Sequence, residues 1–254
     1  MCDQVRGDPG ERQPHAALQP AGRWPKAEKI RRLVALSPPP DRRLRVLEIG
    51  TGSGAIAHYF AVRSGLDCEV DAVDVIDQRQ IKEGYRFQQI GGVSLPFETG
   101  VFDLVISNHV IEHVGGHDQQ QQHLCEMGRV LRADGRGYLA CPNRWQVVEP
   151  HFRLAFLSWL PRNLRDPYLR LCGKGAFYDC EPLRMSELER MLAAARFDFR
   201  NACVPAIRMM LHVERHRSIA LRIVGKLPDA WLEHVRSICP THIYLLTPHA
   251  GAGG

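Results

Sequence analysis

A short apolar strand running straight into glycines on alternate positions constrains this chain more than any other feature. Val46 to Gly54 read Val-Leu-Glu-Ile-Gly-Thr-Gly-Ser-Gly. Alternation removes Cβ from every second residue, so the backbone can turn sharply and lie against a ligand without steric conflict. Followed by a helix, such a loop seats a nucleotide-like group at the carboxyl edge of a parallel sheet. By itself the pattern leaves several readings open. Gly50, Gly52 and Ala55 also satisfy the dinucleotide fingerprint in relaxed form, and a tight turn without a ligand has the same composition.

The flanks narrow the choice. Glu48 lies two residues before Gly50 inside an otherwise apolar strand, where an ionised carboxylate is expensive without partners. Twenty residues beyond Gly54, Val70-Asp71-Ala72-Val73-Asp74 ends a second strand with an acid. A carboxylate there can accept hydrogen bonds from both hydroxyls of a ribose, a geometry common to nicotinamide and adenosyl cofactors. A third block runs from Leu95-Pro96-Phe97 through Phe102-Asp103 into the apolar Leu104 to Asn108. Val110-Ile111-Glu112-His113-Val114 and then Gly128 to Gly137 follow.

This ordered set resembles the class I S-adenosylmethionine-dependent methyltransferases, and within them the type 11 small-molecule branch. The likeness is strong from Arg45 to Asn143 and looser as far as Thr247. It implies that Glu48, Gly50, Gly52 and Gly54 hold the methionine part of the cofactor and that Asp74 binds its ribose. Thr51, Val75, Gly92, Val93 and Asn108 complete the implied cofactor set. Where the family carries an acid and a small residue near the adenine amino group, this chain has Gly91-Gly92, so backbone groups around Ile90 to Val93 are expected to take that role. Ala133-Asp134 replaces the Lys/Pro part of the family's later turn.

Organisation is legible along the rest of the chain. Met1 to about Gly22 is rich in Pro, Gly, Gln and Arg and reads as a disordered tail. Ala27, Ile30, Leu33 and Val34 at helical spacing predict a helix over Lys26 to Leu36, before Pro38-Pro39-Pro40. Strands are predicted at 45–49, 69–74, 86–89, 104–107, 137–141, 197–202 and 242–247, with helices over 53–63 and 119–130. Ser186 to Glu189 reads as a capping box opening a helix with Leu188, Met191 and Leu192 inward. The expected fold is α/β, a doubly wound, mostly parallel seven-stranded sheet with a helical insertion between strands five and six. A single domain over 23–248 and a flexible tail over 249–254 complete the outline.

The most individual segment is Pro142 to Gly175. His151 to Pro161 is apolar and aromatic, and Arg162, Arg165, Tyr168 and Arg170 follow. As a lid over 142–180 it would place Phe152, Phe156 and Trp159 around an apolar or lipid-linked acceptor; as an ordinary buried helix it would only complete the core. Ala206 to Ser237 reads as a second long helical region carrying a basic cluster from His212 to Arg217, which could join the cap or form a peripheral membrane surface. Methyl transfer needs an aligned nucleophile, and a base if the acceptor starts protonated. His151, Asn143 and His109 are the candidates at the open edge, with His151 the preferred base. His109-Val110-Ile111-Glu112-His113 also resembles the Glu-x-x-Glu-His motif of metal-assisted quinone-biosynthesis O-methyltransferases, with His109 in place of the first Glu. Losing that carboxylate weakens a hard-cation site, so no metal is assigned.

Bulk properties fit one enzyme domain. The 254 residues are 44% hydrophobic, enough for one large core. No apolar run approaches a membrane span and no signal-peptide core is evident. Eight cysteines without metal spacing, among them Cys68, Cys141 and Cys203 in strands, read as free thiols in a reducing cytoplasm. A net charge of +5 without a clustered basic face argues against a nucleic-acid partner. The expected activity is methyl transfer from S-adenosylmethionine to a small-molecule or lipid-like acceptor. The alternatives are a nicotinamide-dependent oxidoreductase, which leaves the Leu95–Asp103 block without a role, and a non-catalytic cofactor-binding scaffold.

Overall fold

Strands buried on consecutive positions, not every second one, must be covered on both faces. β1 (Leu44–Ile49), β2 (Cys68–Asp74) and β4 (Phe102–Asn108) are of this kind, and β4 is buried throughout. With β3 (Arg86–Gln89), β5 (Leu131–Pro142), β8 (Phe197–Asn201) and β9 (Thr241–Pro248) they form a seven-stranded sheet in the order β3-β2-β1-β4-β5-β9-β8. Only β9 runs against its neighbours. The structure is a computed structural model that describes residues 22–213 and 225–249, without the side chains of 212 and 213.

Successive strand residues feed opposite layers. Val46, Leu104 and Tyr138 pack on one face with Ala27 and Ile30 of α1 (Trp24–Val34) and Ile56 of α2 (Ala55–His58). Leu47, Val105 and Leu139 pack on the other with Leu124 and Met127 of α3 (His117–Val130) and with Leu188 and Leu192 of α5 (Met185–Ala194). Two of the sequence blocks act as struts. Arg129 of α3 donates to the carbonyls of Leu95 and Phe97, at 3.0 and 2.7 Å, while Glu126 accepts from Leu95 N at 2.7 Å. At the foot of β4, Asp103 takes a bidentate pair from Arg42 and the amide of Arg45.

Several expectations need correction. The insertion is not simply helical. It opens with a ribbon, β6 (Val148–Glu149) against β7 (Leu154–Ala155), and only then forms α4 (Arg162–Leu171). Phe152, Leu154, Leu157 and Leu169 close a small core of their own. The helix after it begins at Met185 with its cap at Arg184, two residues before the cap read at Ser186, because Glu187 reaches back to the amide of Arg184 at 2.9 Å. The long helical region is interrupted: α6 spans Cys203–Val213, and α7 (Asp229–His234) starts anew behind Pro228. The disordered tail assigned to 1–22 lies outside the described residues except for Gly22, as does the basic cluster apart from the backbone of its first two residues. The tail assigned to 249–254 is likewise outside them, save His249, whose amide bonds Arg196 O at 2.8 Å. Among the described residues no helix is long and apolar enough to cross a membrane.

Candidate active site

The strand order reverses between β1 and β4, and at that point the carboxyl ends of the strands leave a crevice. A cavity of about 550 Å³ occupies it. Gly50, Gly52, Asp74, Val75, Gly92 and Val93 line one end. The loop needs its glycines. Gly54 sits at φ +79°, and a Cβ there would run into the carbonyl of Ile81 and the hydroxyl of Tyr85. Gly50, at φ +71°, lies against Val110 in the same way.

Asp74 holds the loop to the second strand. Its carboxylate accepts from the amides of Gly52 and Val75, each at 2.8 Å. Asn108, at the end of β4, lines the cavity, and its buried side-chain amide nitrogen has no partner among the described residues. A cradle without Cβ atoms, an acid at its rim and an unused donor opposite suit an adenosyl cofactor with its ribose and amino-acid ends. Sequence reasoning missed Arg23, at the cap of α1, and Lys26, in its first turn, which reach the cavity. Only the tertiary fold brings that end of the helix to the glycine loop.

Three expected contacts stand behind the cavity instead of in its wall. Glu48 is buried, and its Oε2 accepts from Thr51 Oγ1 at 2.7 Å and Ala57 N at 2.9 Å. It braces the loop from beneath, with Thr51 and Gly54. Burial raises its pKa to about 8 against those two hydrogen bonds. Asn143 also turns away: its amide donates to the carbonyls of Ser237 and Cys239, and its Oδ1 accepts from Trp145 N. With its hydrogen-bonding capacity used to fix β5 to the segment before β9, Asn143 does not fit the acceptor-orienting role predicted for it.

The opposite end of the cavity is a wall of imidazoles. His109 follows β4 at φ +60°, a left-handed conformation uncommon for a side chain of this size, and its amide bonds Ala140 O at 2.7 Å. Its Nδ1 lies 3.3 Å from Glu112 Oε1. Glu112 is almost fully buried, and neither of its oxygens completes a well-aligned hydrogen bond among the described residues. Burial alone would raise its pKa, but the contact with His109 and the charge of His113 outweigh this and lower it. His123, bonded to Ser107 Oγ at 2.9 Å, is pushed down to about 4 by burial and remains neutral.

The insertion supplies the rest of this wall through its ribbon turn: Pro150, His151 and Arg153 face the cavity, with Asp179. His151 Nδ1 lies 2.6 Å from Glu149 Oε1, whose second oxygen accepts from Phe152 N. Burial opposes protonation of His151, yet Glu149, with Glu112 and Asp179 beyond it, raises its pKa. The aromatic lining expected from Phe152, Phe156 and Trp159 is not there. Phe152 belongs to the insertion's own core, while Phe156 and Trp159, both partly exposed, meet edge to face. The turn therefore meets the cavity with Pro150, His151 and Arg153, while Phe152 packs into the insertion's core. Glu112 Oε1 lies 3.3 Å from His109 Nδ1 and 3.9 Å from His113 Nε2.

Comparison with known proteins agrees with this geometry. Residues 47–139 match the type 11 family model, described as a methyltransferase domain. A tRNA1(Val) (adenine(37)-N6)-methyltransferase of Aeromonas hydrophila is 31% identical over 122 residues, covering 39% of this chain and 51% of that protein. The chain therefore spans about half the length of this curated relative. Among solved structures, a Haemonchus contortus phosphoethanolamine N-methyltransferase 2 with S-adenosyl-L-methionine superposes at TM-score 0.52, with 14% identity over 89% of this chain and 53% of that one. A geranyl diphosphate methyltransferase with its diphosphate and sinefungin gives 0.51, with 16% identity over 87% and 75%. The [4+2]-cyclase SpnF gives 0.50, with 16% identity over 94% and 86%. At these identities the likeness is one of fold, and the cyclase illustrates that fold alone does not fix chemistry.

Proposed function

We propose, from the premise that residues 47–139 are an S-adenosylmethionine-dependent methyltransferase domain of the type 11 family, that this protein methylates an oxygen or nitrogen of a small molecule. The acceptor sits between Asn108–His109 and the Pro150–Arg153 turn. The observation that carries this reading is the single cavity joining the glycine loop to the imidazole wall. Its volume of about 550 Å³ lies in the range of sites that enclose small ligands. A lipid-like acceptor loses support, because the aromatic side chains that suggested it face away from the cavity.

When bound, the cofactor supplies an electrophilic methyl on a sulfonium. The chain's own residues do the rest. Gly50 and Gly52 allow close approach of the loop, and Asp74 receives the ribose. Arg23 and Lys26 offer cations to the carboxylate of the methionine end. His109 is the proton acceptor. Its Nδ1 is turned to Glu112, which leaves Nε2 to take the proton from the nucleophile, and the buried carboxylate stabilises the imidazolium that forms. The Pro150–Arg153 turn excludes water from that side of the site.

The assay is release of S-adenosylhomocysteine with a panel of small hydroxyl and amine acceptors and, in parallel, with total tRNA, the substrate class named for the curated relative. Turnover with a small acceptor, lost in His109→Gln without loss of cofactor affinity, supports the reading. Methylation of tRNA alone overturns the acceptor assignment.

A further inference from the structure

The insertion brings a soft donor set to the edge of the cavity. His113 comes from the turn after β4, His151 from the ribbon turn and Cys180 from the loop before α5, three segments far apart in sequence. One ligand atom from each lies within 4.8 Å of the other two. Cys180 Sγ is 3.6 Å from His113 Nδ1 and 3.8 Å from His151 Nδ1. Metal–sulfur and metal–nitrogen bonds of roughly 2.3 and 2.0–2.1 Å give a tetrahedron an S···N edge of about 3.6 Å. The side chains thus already stand near the spacing a tetrahedral ion imposes. Two imidazoles and a thiolate favour Zn²⁺ over Mg²⁺ or Ca²⁺, which take oxygen donors.

A second feature points to the same place. His113 presents Nδ1 to the sulfur and its Nε2 to the buried Glu112, 3.9 Å away. Neither oxygen of that carboxylate completes a hydrogen bond among the described residues. Metal-bound imidazoles ordinarily direct their second nitrogen at a carboxylate, which fixes the ring and strengthens the ligand. Charge also favours a cation here. A divalent ion with one thiolate and two neutral imidazoles leaves a centre of +1, and the carboxyl groups of Glu112 and Glu149 lie beside its ligands, 3.9 Å from His113 Nε2 and 2.6 Å from His151 Nδ1.

We infer that His113, His151 and Cys180 bind one zinc-class ion, with Glu112 as the outer partner of His113 and the remaining coordination position on the side of the cavity and of Glu149. This site is distinct from the hard-cation motif considered over His109 to His113: of that motif only His113 is a ligand here, and Glu112 serves as its outer partner. Loading releases the thiol proton to solvent and displaces the proton held between His151 and Glu149. The inference does not depend on the acceptor reading, because it concerns metal binding alone.

The test is anaerobic titration of the full chain, free of any polyhistidine tag and treated with chelator and reductant, with Co²⁺ followed by displacement with Zn²⁺. The expected result is one Co²⁺ per chain, with tetrahedral d–d absorption and a near-ultraviolet thiolate charge-transfer band, both abolished by equimolar Zn²⁺. Cys180→Ser should remove the thiolate band and weaken binding at least tenfold; should it fold poorly, His113→Asn, which keeps the thiolate, should weaken binding at least tenfold and alter the d–d absorption. Binding of S-adenosylhomocysteine, within about threefold of the parent, certifies that each variant is folded. Absence of the band in the parent protein, or its persistence in Cys180→Ser, overturns the site. Failure to bind S-adenosylhomocysteine would instead contradict the methyltransferase reading.

Discussion

Burial of Glu48 beneath the glycine loop makes stability depend on pH in a direction that can be worked out. Its folded pKa is raised to about 8 from a reference of 4.5, with burial the leading cause. A carboxyl group with a raised folded pKa binds more protons folded than unfolded between those two values. Stability is therefore fully present below the lower one and is lost as pH rises through the window. With about 1.4 kcal/mol per unit, the loss is about 1 kcal/mol at pH 5, about 3 at pH 7 and about 5 at pH 9. Other groups titrate over the same range. His123 and His242, both pushed down to about 4 by burial, lose stability in the opposite sense as pH falls below 6.5. The informative quantity is thus a difference. Glu48→Gln retains an oxygen to accept from Thr51 and Ala57 and cannot ionise. Its stability relative to the parent, measured by urea unfolding, should improve by about 4 kcal/mol between pH 5 and pH 9. Parallel pH profiles for the two proteins would mean that Glu48 folds in its ionised form, and would refute the reasoning.

Other perturbations separate loop, insertion and wall. Gly54→Ala meets the Ile81 carbonyl and the Tyr85 hydroxyl, whereas Gly65→Ala has the same sign of φ and open space around it. The control should lose about 1–2 kcal/mol of stability and Gly54→Ala a further 1–3 or so, with loss of cofactor binding only in the latter. Phe152→Ala should lose about 3–5 kcal/mol by opening the insertion's core. Phe156→Ala, at a half-exposed position, should lose under about 1 kcal/mol; equal losses in urea unfolding would contradict the arrangement. His109→Gln should lower kcat by about 10²–10⁴ with little change in cofactor affinity, and an unchanged kcat would remove His109 as the proton acceptor.

The parts of this molecule legible in its sequence are those where contiguous residues decide the outcome. β1, the glycine loop and Asp74 form one short-range unit, and the apolar stretch Leu104 to Ile106 of β4, beside the valines of β2, admits few alternatives to a covered parallel sheet. The likeness of Leu95–Asp103 and Arg129 to a known family marked them as important without giving the reason, which is that Arg129 ties one block to the other. The insertion left two readings open because an aromatic stretch has no single period. The fold alone shows that Phe152 enters the insertion's own core and that Phe156 stays half-exposed. Asn143 looked available because nothing local reveals the carbonyls of Ser237 and Cys239 that occupy it. Cys180 carried no signal at all, since its neighbours His113 and His151 lie 67 and 29 residues away.

Calorimetric titration with S-adenosylhomocysteine, set beside NAD, tests the central claim most directly. The account predicts one S-adenosylhomocysteine per chain and no heat from the dinucleotide. Asp74→Ala should weaken that binding by about 1.5–3 kcal/mol, the scale of hydrogen bonds to a charged group, while the protein still unfolds cooperatively. Binding of NAD with no response to the adenosyl ligand, or an Asp74→Ala variant that binds S-adenosylhomocysteine as tightly as the parent, would contradict it.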